Sequence, residues 1–237
     1  MKPVLILQHM VEDSPGYLAT WLQRHGRPFE VRNSAVGEAF PDSLQPYSAL
    51  AILGGAMSAN DDLPSLRQAE RLVREGVAGG VPVIGHCLGG QLMAKALGAA
   101  VTASPAPEIG WQTLLPEPTT LARDWLGAEA LPEIFHWHYE AFGLPTGATL
   151  LASSPACPHQ AFVIGPHLAM QFHVELDASK LAIWTAEPDD DHSAALARHP
   201  SVQSFAAMHE DAAQRLARQQ RLADRLYARW WAGVHAG

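Results

Sequence analysis

The stretch VPVIGHCLGGQLMAKALG, residues 81–98, joins an apolar run to a cysteine, a glycine pair and a segment with helical spacing that Gly98 stops. A chain that leaves a buried strand and enters a helix at once must turn sharply. Gly85, Gly89 and Gly90 remove the side chains that would obstruct such a turn. The residue at its apex, Cys87, then projects above the sheet edge beside the first free N–H groups of the helix. Those groups and the helix dipole favour an anion, and so a thiolate. In open α/β sheets this edge is where ligands bind. The plainer role for a cysteine is that of a small buried hydrophobe. The flanking glycines and the strand-to-helix position argue for a functional thiol instead.

Working outward from this turn, strands and helices alternate through the first hundred residues. VLIL (4–7), FEVRNS (29–34), ALAILGGAM (49–57) and VPVIG (81–85) read as strands. SPGYLATWLQRHG (14–26) and LPSLRQAERLVREGVAGG (63–80) read as helices. In the second of these, Leu66, Ala69, Leu72 and Val73 share one face. Such alternation implies a mostly parallel central sheet with helices on both faces, an α/β fold of flavodoxin-like build. After residue 100 the runs shorten: WQTLLP, EIFHWHYEAFGLP, TLLASSP, QAFVIG and LAMQFHVEL are separated by turn residues, which predicts antiparallel strands in the C-terminal half. No Gly/Ser-rich linker and no repeat divides the chain. The expected organisation is one domain over 1–185, with 186–237 supplying an acidic loop (188–200) and a long helix from Ser201 to about Trp231 that packs on it. The apolar stripe of that helix, with Leu222, Leu226 and Trp230, faces the core of the same chain or the partner in a homodimer.

The bulk composition narrows the function classes. With 48% hydrophobic and 17% charged residues over 237 positions the chain can bury a substantial core. A formal net charge of −8 opposes a nucleic-acid surface, and the C-terminal arginines are interspersed with acids as on a solvated helix face. No apolar run approaches the roughly 18–20 residues that a bilayer span needs, so no membrane association is expected. The N-terminal residues read as a first strand rather than a leader. Two cysteines, Cys87 and Cys157, are too few for a disulfide framework, which favours a cytoplasmic location.

A cysteine nucleophile needs an imidazole to handle its proton and a third group to orient that imidazole. Twelve histidines make a lone histidine uninformative. In AMQFHVEL, however, an extended strand would put Gln171, His173 and Glu175 on one face, with His173 and Glu175 about 7 Å apart at the backbone. By itself H-x-E is more often an ordinary surface pair. A metal site on HWH (136–138) is a weaker thought: His136 and His138 share a strand face, but no carboxylate or cysteine cluster completes the set, so no metal is expected.

Taken together, GHCLGGQ (85–91) and QFHVE (171–175) resemble the nucleophile elbow and C-terminal motif of class I, triad-type glutamine amidotransferases. ILGGAM (52–57) resembles their oxyanion-hole turn. EIGW (108–111), WHYEAFGLPTGATLLASS (137–154) and HQAF (159–162) resemble the stand-alone subgroup related to the amidotransferase half of GMP synthetase. The resemblance covers roughly residues 1–180 and implies that Cys87 is the nucleophile, His173 the general base and then acid, and Glu175 its orienter. It implies that the N–H groups of Gly55 and Leu88 hold the oxyanion, an effect worth about 3–4 kcal/mol in comparable sites. Gly54, Ala56, Gln91, His138 and Tyr139 would contact the substrate. Departures lie at Tyr139, where the family has glycine, at Glu140, where it has aspartate, and at Val174, where it often has proline; His86 also stands where apolar residues are frequent.

No phosphate-binding loop and no synthase domain is visible, and no cofactor is expected. Ammonia from glutamine would then need a separate accepting enzyme as partner. Two further readings stay open. One is a γ-glutamyl peptidase or hydrolase, motivated by the bulk of Tyr139. The other is a non-enzymatic thiol redox sensor or binding protein that uses Cys87 without an imidazole.

Overall fold

The computed structural model describes residues 1–129, 131–187 and 190–235. Its centre is an eight-stranded sheet in the order β2-β1-β3-β4-β10-β9-β8-β6. The first five, β2 (Phe29–Asn33), β1 (Val4–Gln8), β3 (Ala49–Ile52), β4 (Val83–His86) and β10 (His167–Met170), run parallel. The last three, β9 (Ala161–Ile164), β8 (Thr149–Ser153) and β6 (Leu115–Pro116), are antiparallel to their neighbours. The expected parallel centre and antiparallel C-terminal half are both present.

The inner strands β1 and β3 read as apolar runs because each of their faces meets helices, whereas β2 at the edge, FEVRN, is half-buried. Val4 and Ile6 of β1 join the core on one side, beneath α1 (Gly16–Arg24), α4 (Thr120–Leu126) and α8 (Ala212–Ala232). Leu5 and Leu7 join the other, beneath α2 (Pro64–Gly79) and α3 (Leu88–Ala96). The predicted face of α2 is the buried one, with Leu66, Ala69, Leu72 and Val73 all at 0% exposure. Proline at its first position and Gly80 in the left-handed conformation just past its end bound that helix.

A second, two-stranded antiparallel ribbon of β5 (Val101–Gln112) and β7 (Ile134–Phe142) stands apart from the main sheet. Its register shifts between Ala103 and Glu108, where Pro105 and Pro107 remove N–H donors from the ladder. The ribbon packs in a third apolar cluster with α5 (Ala178–Trp184), α6 (Asp190–Leu196), α7 (Phe205–His209) and the start of α8.

Three expectations need correction. LAMQFHVEL does not continue as a strand: β10 ends at Met170, and residues 171–175 bend away, with the His173 N–H bonded to Phe135 O at 2.9 Å. The supposed acidic loop over 188–200 holds α6, whose first turn carries Asp190 and Asp191, where negative charge complements the helix dipole; positions 188–189 lie outside the described residues. The helix expected from Ser201 onward is two helices. It breaks at Asp211, which adopts φ +54°, and Val202 lies before both, bridged to Ile109. The apolar stripe of α8 is covered by the chain itself: Leu222, Leu226, Tyr227 and Trp230 are buried in the main core.

Candidate active site

Cys87 is the single residue between β4 and α3, and it has φ +49° and ψ −109°. A non-glycine residue held there carries strain of about 1–3 kcal/mol and persists only where its surroundings over-determine it. Here the Cys87 N–H bonds to Met170 O and the Gln91 N–H to Cys87 O, both at 2.9 Å. The glycines permit the close packing behind the turn. A Cβ on Gly89 would lie 2.3 Å from Ile52 O, and one on Gly90 2.4 Å from Met170 O. The thiol is 6% exposed and opens into a cavity of about 610 Å³ at the carboxyl edge of the parallel strands.

His173 and Glu175 reach this point from the bend after β10. Their side chains meet at 2.7 Å, from His173 Nδ1 to Glu175 Oε1, and both are buried. Burial alone would lower the imidazole pKa. The charges of Glu175 and Cys87, and hydrogen bonds to both, outweigh it and raise His173 to about 10. The ring is therefore an imidazolium beside the thiol at neutral pH. Trp184 stands edge-on to it, with ring centroids 4.8 Å apart. Its backbone is clamped by Gln219 of α8, whose amide accepts from Phe135 N at 2.8 Å and donates to His173 O at 2.9 Å.

Glu175 is fully buried yet held well below the usual carboxylate range. Burial opposes this, and the charges of Lys180, His173 and His86 overcome it. Lys180, itself buried, donates to Glu175 Oε1 at 3.1 Å and pairs with Asp13 at 2.5 Å. Its chain position follows from α5, where Asp177 caps the helix by accepting from Lys180 N. His86 lies behind the turn, with Nε2 3.2 Å from the Tyr227 hydroxyl and 3.9 Å from Glu175 Oε2.

Of the residues expected to contact substrate, Ala56, Gln91, His138 and Tyr139 line the cavity with Cys87 and His173, as does Gly55 of the expected oxyanion hole. Gly54 lies behind the lining, where a Cβ would come 3.1 Å from His173 Cε1, and Leu88 packs against Gly55. Gln91 donates to Glu140 O at 3.1 Å, as does the Nδ1 of His138 at the same distance. Glu140 turns its carboxylate to the Ser58 hydroxyl, and Tyr139 is 41% exposed at the cavity mouth. Asp13, Lys180, Trp184 and Gln219 were not singled out from the sequence. A lysine on the apolar stretch ASKLAIW, five residues after Glu175, was the one available signal.

Glu108 was missed as well. On the β5–β7 ribbon it sits directly opposite His138, and with His136 it forms a buried group of one carboxylate and two imidazoles. Burial, with the neighbouring His138 and His173, holds His136 well below its ordinary range, so that its ring is neutral.

The chain has clear relatives. The model of the glutamine amidotransferase class-I family matches residues 19–182. A glutamine amidotransferase-like protein of Salmonella typhimurium, YfeJ, is 33% identical over 74% of this chain and 77% of its own. A glutamine-hydrolysing GMP synthase subunit of Sulfolobus acidocaldarius is 30% identical over 60% of this chain and 74% of its own. A solved glutamine amidotransferase of Methylobacillus flagellatus superposes with a TM-score of 0.92 at 39% identity, covering 98% of this chain and 95% of that one. Another, from Thermotoga maritima, does so at 0.84 and 26%, covering 98% of each. The chain belongs to the class I glutamine amidotransferase family.

Proposed function

We propose that the chain is a cysteine hydrolase that cleaves the side-chain amide of glutamine through a γ-glutamyl thioester on Cys87. What carries the reading is the strained Cys87 beside an imidazolium that Glu175 holds at 2.7 Å. The thiolate attacks the amide carbon, and the carbonyl electrons move onto oxygen. The N–H groups of Gly55 and Leu88 stabilise that oxyanion; Leu88 opens α3, so its N–H has no partner within the helix. As the intermediate collapses, His173 protonates the leaving nitrogen and ammonia departs. His173 then takes a proton from water, which attacks the thioester and releases glutamate. Glu175 holds the ring through its Nδ1 hydrogen, leaving Nε2 for both transfers. Gln91 and the Gly55–Ala56 turn hold the glutamyl portion.

A second reading, hydrolysis of γ-glutamyl peptides or conjugates, draws on the cavity. Its volume of about 610 Å³ exceeds what one glutamine fills, and Tyr139 stands at its mouth. The chemistry is the same and the leaving group is larger. In the first reading the ammonia goes to a separate enzyme, as the naming of the Sulfolobus relative for one part of a synthase suggests.

Ammonia release from glutamine, measured beside cleavage of γ-glutamyl dipeptides, separates the two. Turnover of glutamine with Cys87→Ala inactive is expected; preference for the dipeptides selects the second reading, and no turnover of either removes both. A glutamine-mimicking diazoketone should label Cys87 and spare Cys157. Equal labelling of the two would remove the nucleophile assignment.

A further inference from the structure

Beneath the cavity wall, Glu108, His136 and His138 each turn a donor atom towards a common point, all within 4.8 Å of one another. The three residues are 1%, 0% and 3% exposed. His138 Nδ1 faces the Glu140 carbonyl, which can only accept, so that nitrogen carries the hydrogen and a neutral ring keeps its lone pair on Nε2. That Nε2 lies 3.2 Å from Glu108 Oε2, yet out of line for a hydrogen bond. Among the described residues neither nitrogen of His136 has a hydrogen-bond partner. A buried polar group left so is destabilising unless something satisfies it. Two imidazole nitrogens and a carboxylate oxygen therefore gather at one buried spot.

We propose that Glu108, His136 and His138 bind one divalent transition-metal ion of the Zn²⁺ type, at a centre distinct from Cys87. Two imidazoles and a carboxylate are a three-ligand set that leaves a fourth position open. Donors about 2.1 Å from a tetrahedral ion lie about 3.4 Å apart, so atoms now within 4.8 Å of one another close by at most about 1.4 Å on loading. The surrounding contacts are those such ligands use. His138 donates its other ring N–H to a carbonyl, and Gln160 donates to Glu108 Oε2 at 2.5 Å while it also bonds Ser154. A bound ion fixes the His138 ring. Through the shared Glu140 carbonyl it also fixes the Gln91 amide, so that metal occupancy stiffens the wall of the cavity that faces Cys87.

The test uses the full chain, stripped with a chelator and titrated with Zn²⁺ and then with Co²⁺. One ion per chain is expected, with a raised thermal midpoint. The Co²⁺ form should show visible bands of a tetrahedral nitrogen–oxygen site and no thiolate charge-transfer band. Cys87→Ala should keep the ion; His136→Ala and Glu108→Gln should lose it while their metal-free forms keep the wild-type circular dichroism. Should His136→Ala fail to fold, His136→Gln serves in its place. A wild-type chain that takes up no stoichiometric ion overturns the proposal, because a proton or a water then satisfies the cluster. So does an ion that survives His136 replacement but is lost with Cys87.

Discussion

The two cysteines occupy regions that are equally buried and chemically opposite. Cys157 is 1% exposed in the loop before β9, where its N–H bonds to the Ser154 hydroxyl and its thiol to His159 O. Burial pushes that thiol's pKa up, and among the described residues no cationic partner reverses the effect. Cys87, at 6%, is held in a strained turn at a helix N-terminus with an imidazolium at its side. Burial therefore does not decide whether a thiol is inert. The charges that share the burial decide it.

The largest effect should come from removing the imidazole. His173→Ala is expected to slow alkylation of Cys87 at pH 7 by about two to four orders of magnitude and turnover by as much. The labelling of Cys157, followed by peptide mass spectrometry in the same sample, should not change. Equal slowing at both sites would mean a general loss of structure and would dissolve the contrast.

Lys180→Met tests the charge behind the imidazole. It leaves Asp13 and Glu175 buried without their cation, and breaking such a cluster costs about 3–5 kcal/mol. A denaturant midpoint lowered to match is expected, with partial recovery in Lys180→Met/Asp13→Asn. Recovery of stability without recovery of the Cys87 alkylation rate would show that Lys180 orients Glu175 as well as neutralising it.

A further effect is on pH dependence. His173 binds its proton more tightly folded, at about 10, than its ordinary value of 6.5. That stabilisation is complete below about 6.5, declines as pH rises and is gone above about 10. The stability of the wild type should therefore fall across this window relative to His173→Ala, as read from chemical denaturation at a series of pH values. Parallel curves would place the imidazole proton elsewhere.

What could be read from the chain divides along distance in sequence. The turn at Cys87 was legible because strand, glycines, cysteine and helix are contiguous. His173 and Glu175 were legible as a pair, though for an incomplete reason: they meet across a bend, not along a strand face. The period-two pattern of QFHVE fitted a strand, but the Phe135 carbonyl captures the His173 N–H and turns the chain away. Lys180 and Asp13, or Glu108 and His136, lie too far apart in the chain for any local pattern to join them. The two-helix end read as one helix because apolar spacing of three and four carries across the break, and nothing about Asp211 announces a left-handed backbone.

The match to the family model stops at residue 182, yet the backbone of His173 is held by Gln219, and His86 rests on Tyr227. The segment beyond that match is thus the keel of the candidate site. A chimera cut at that boundary would inherit Cys87, His173 and Glu175, and lose the two side chains that keep them in register.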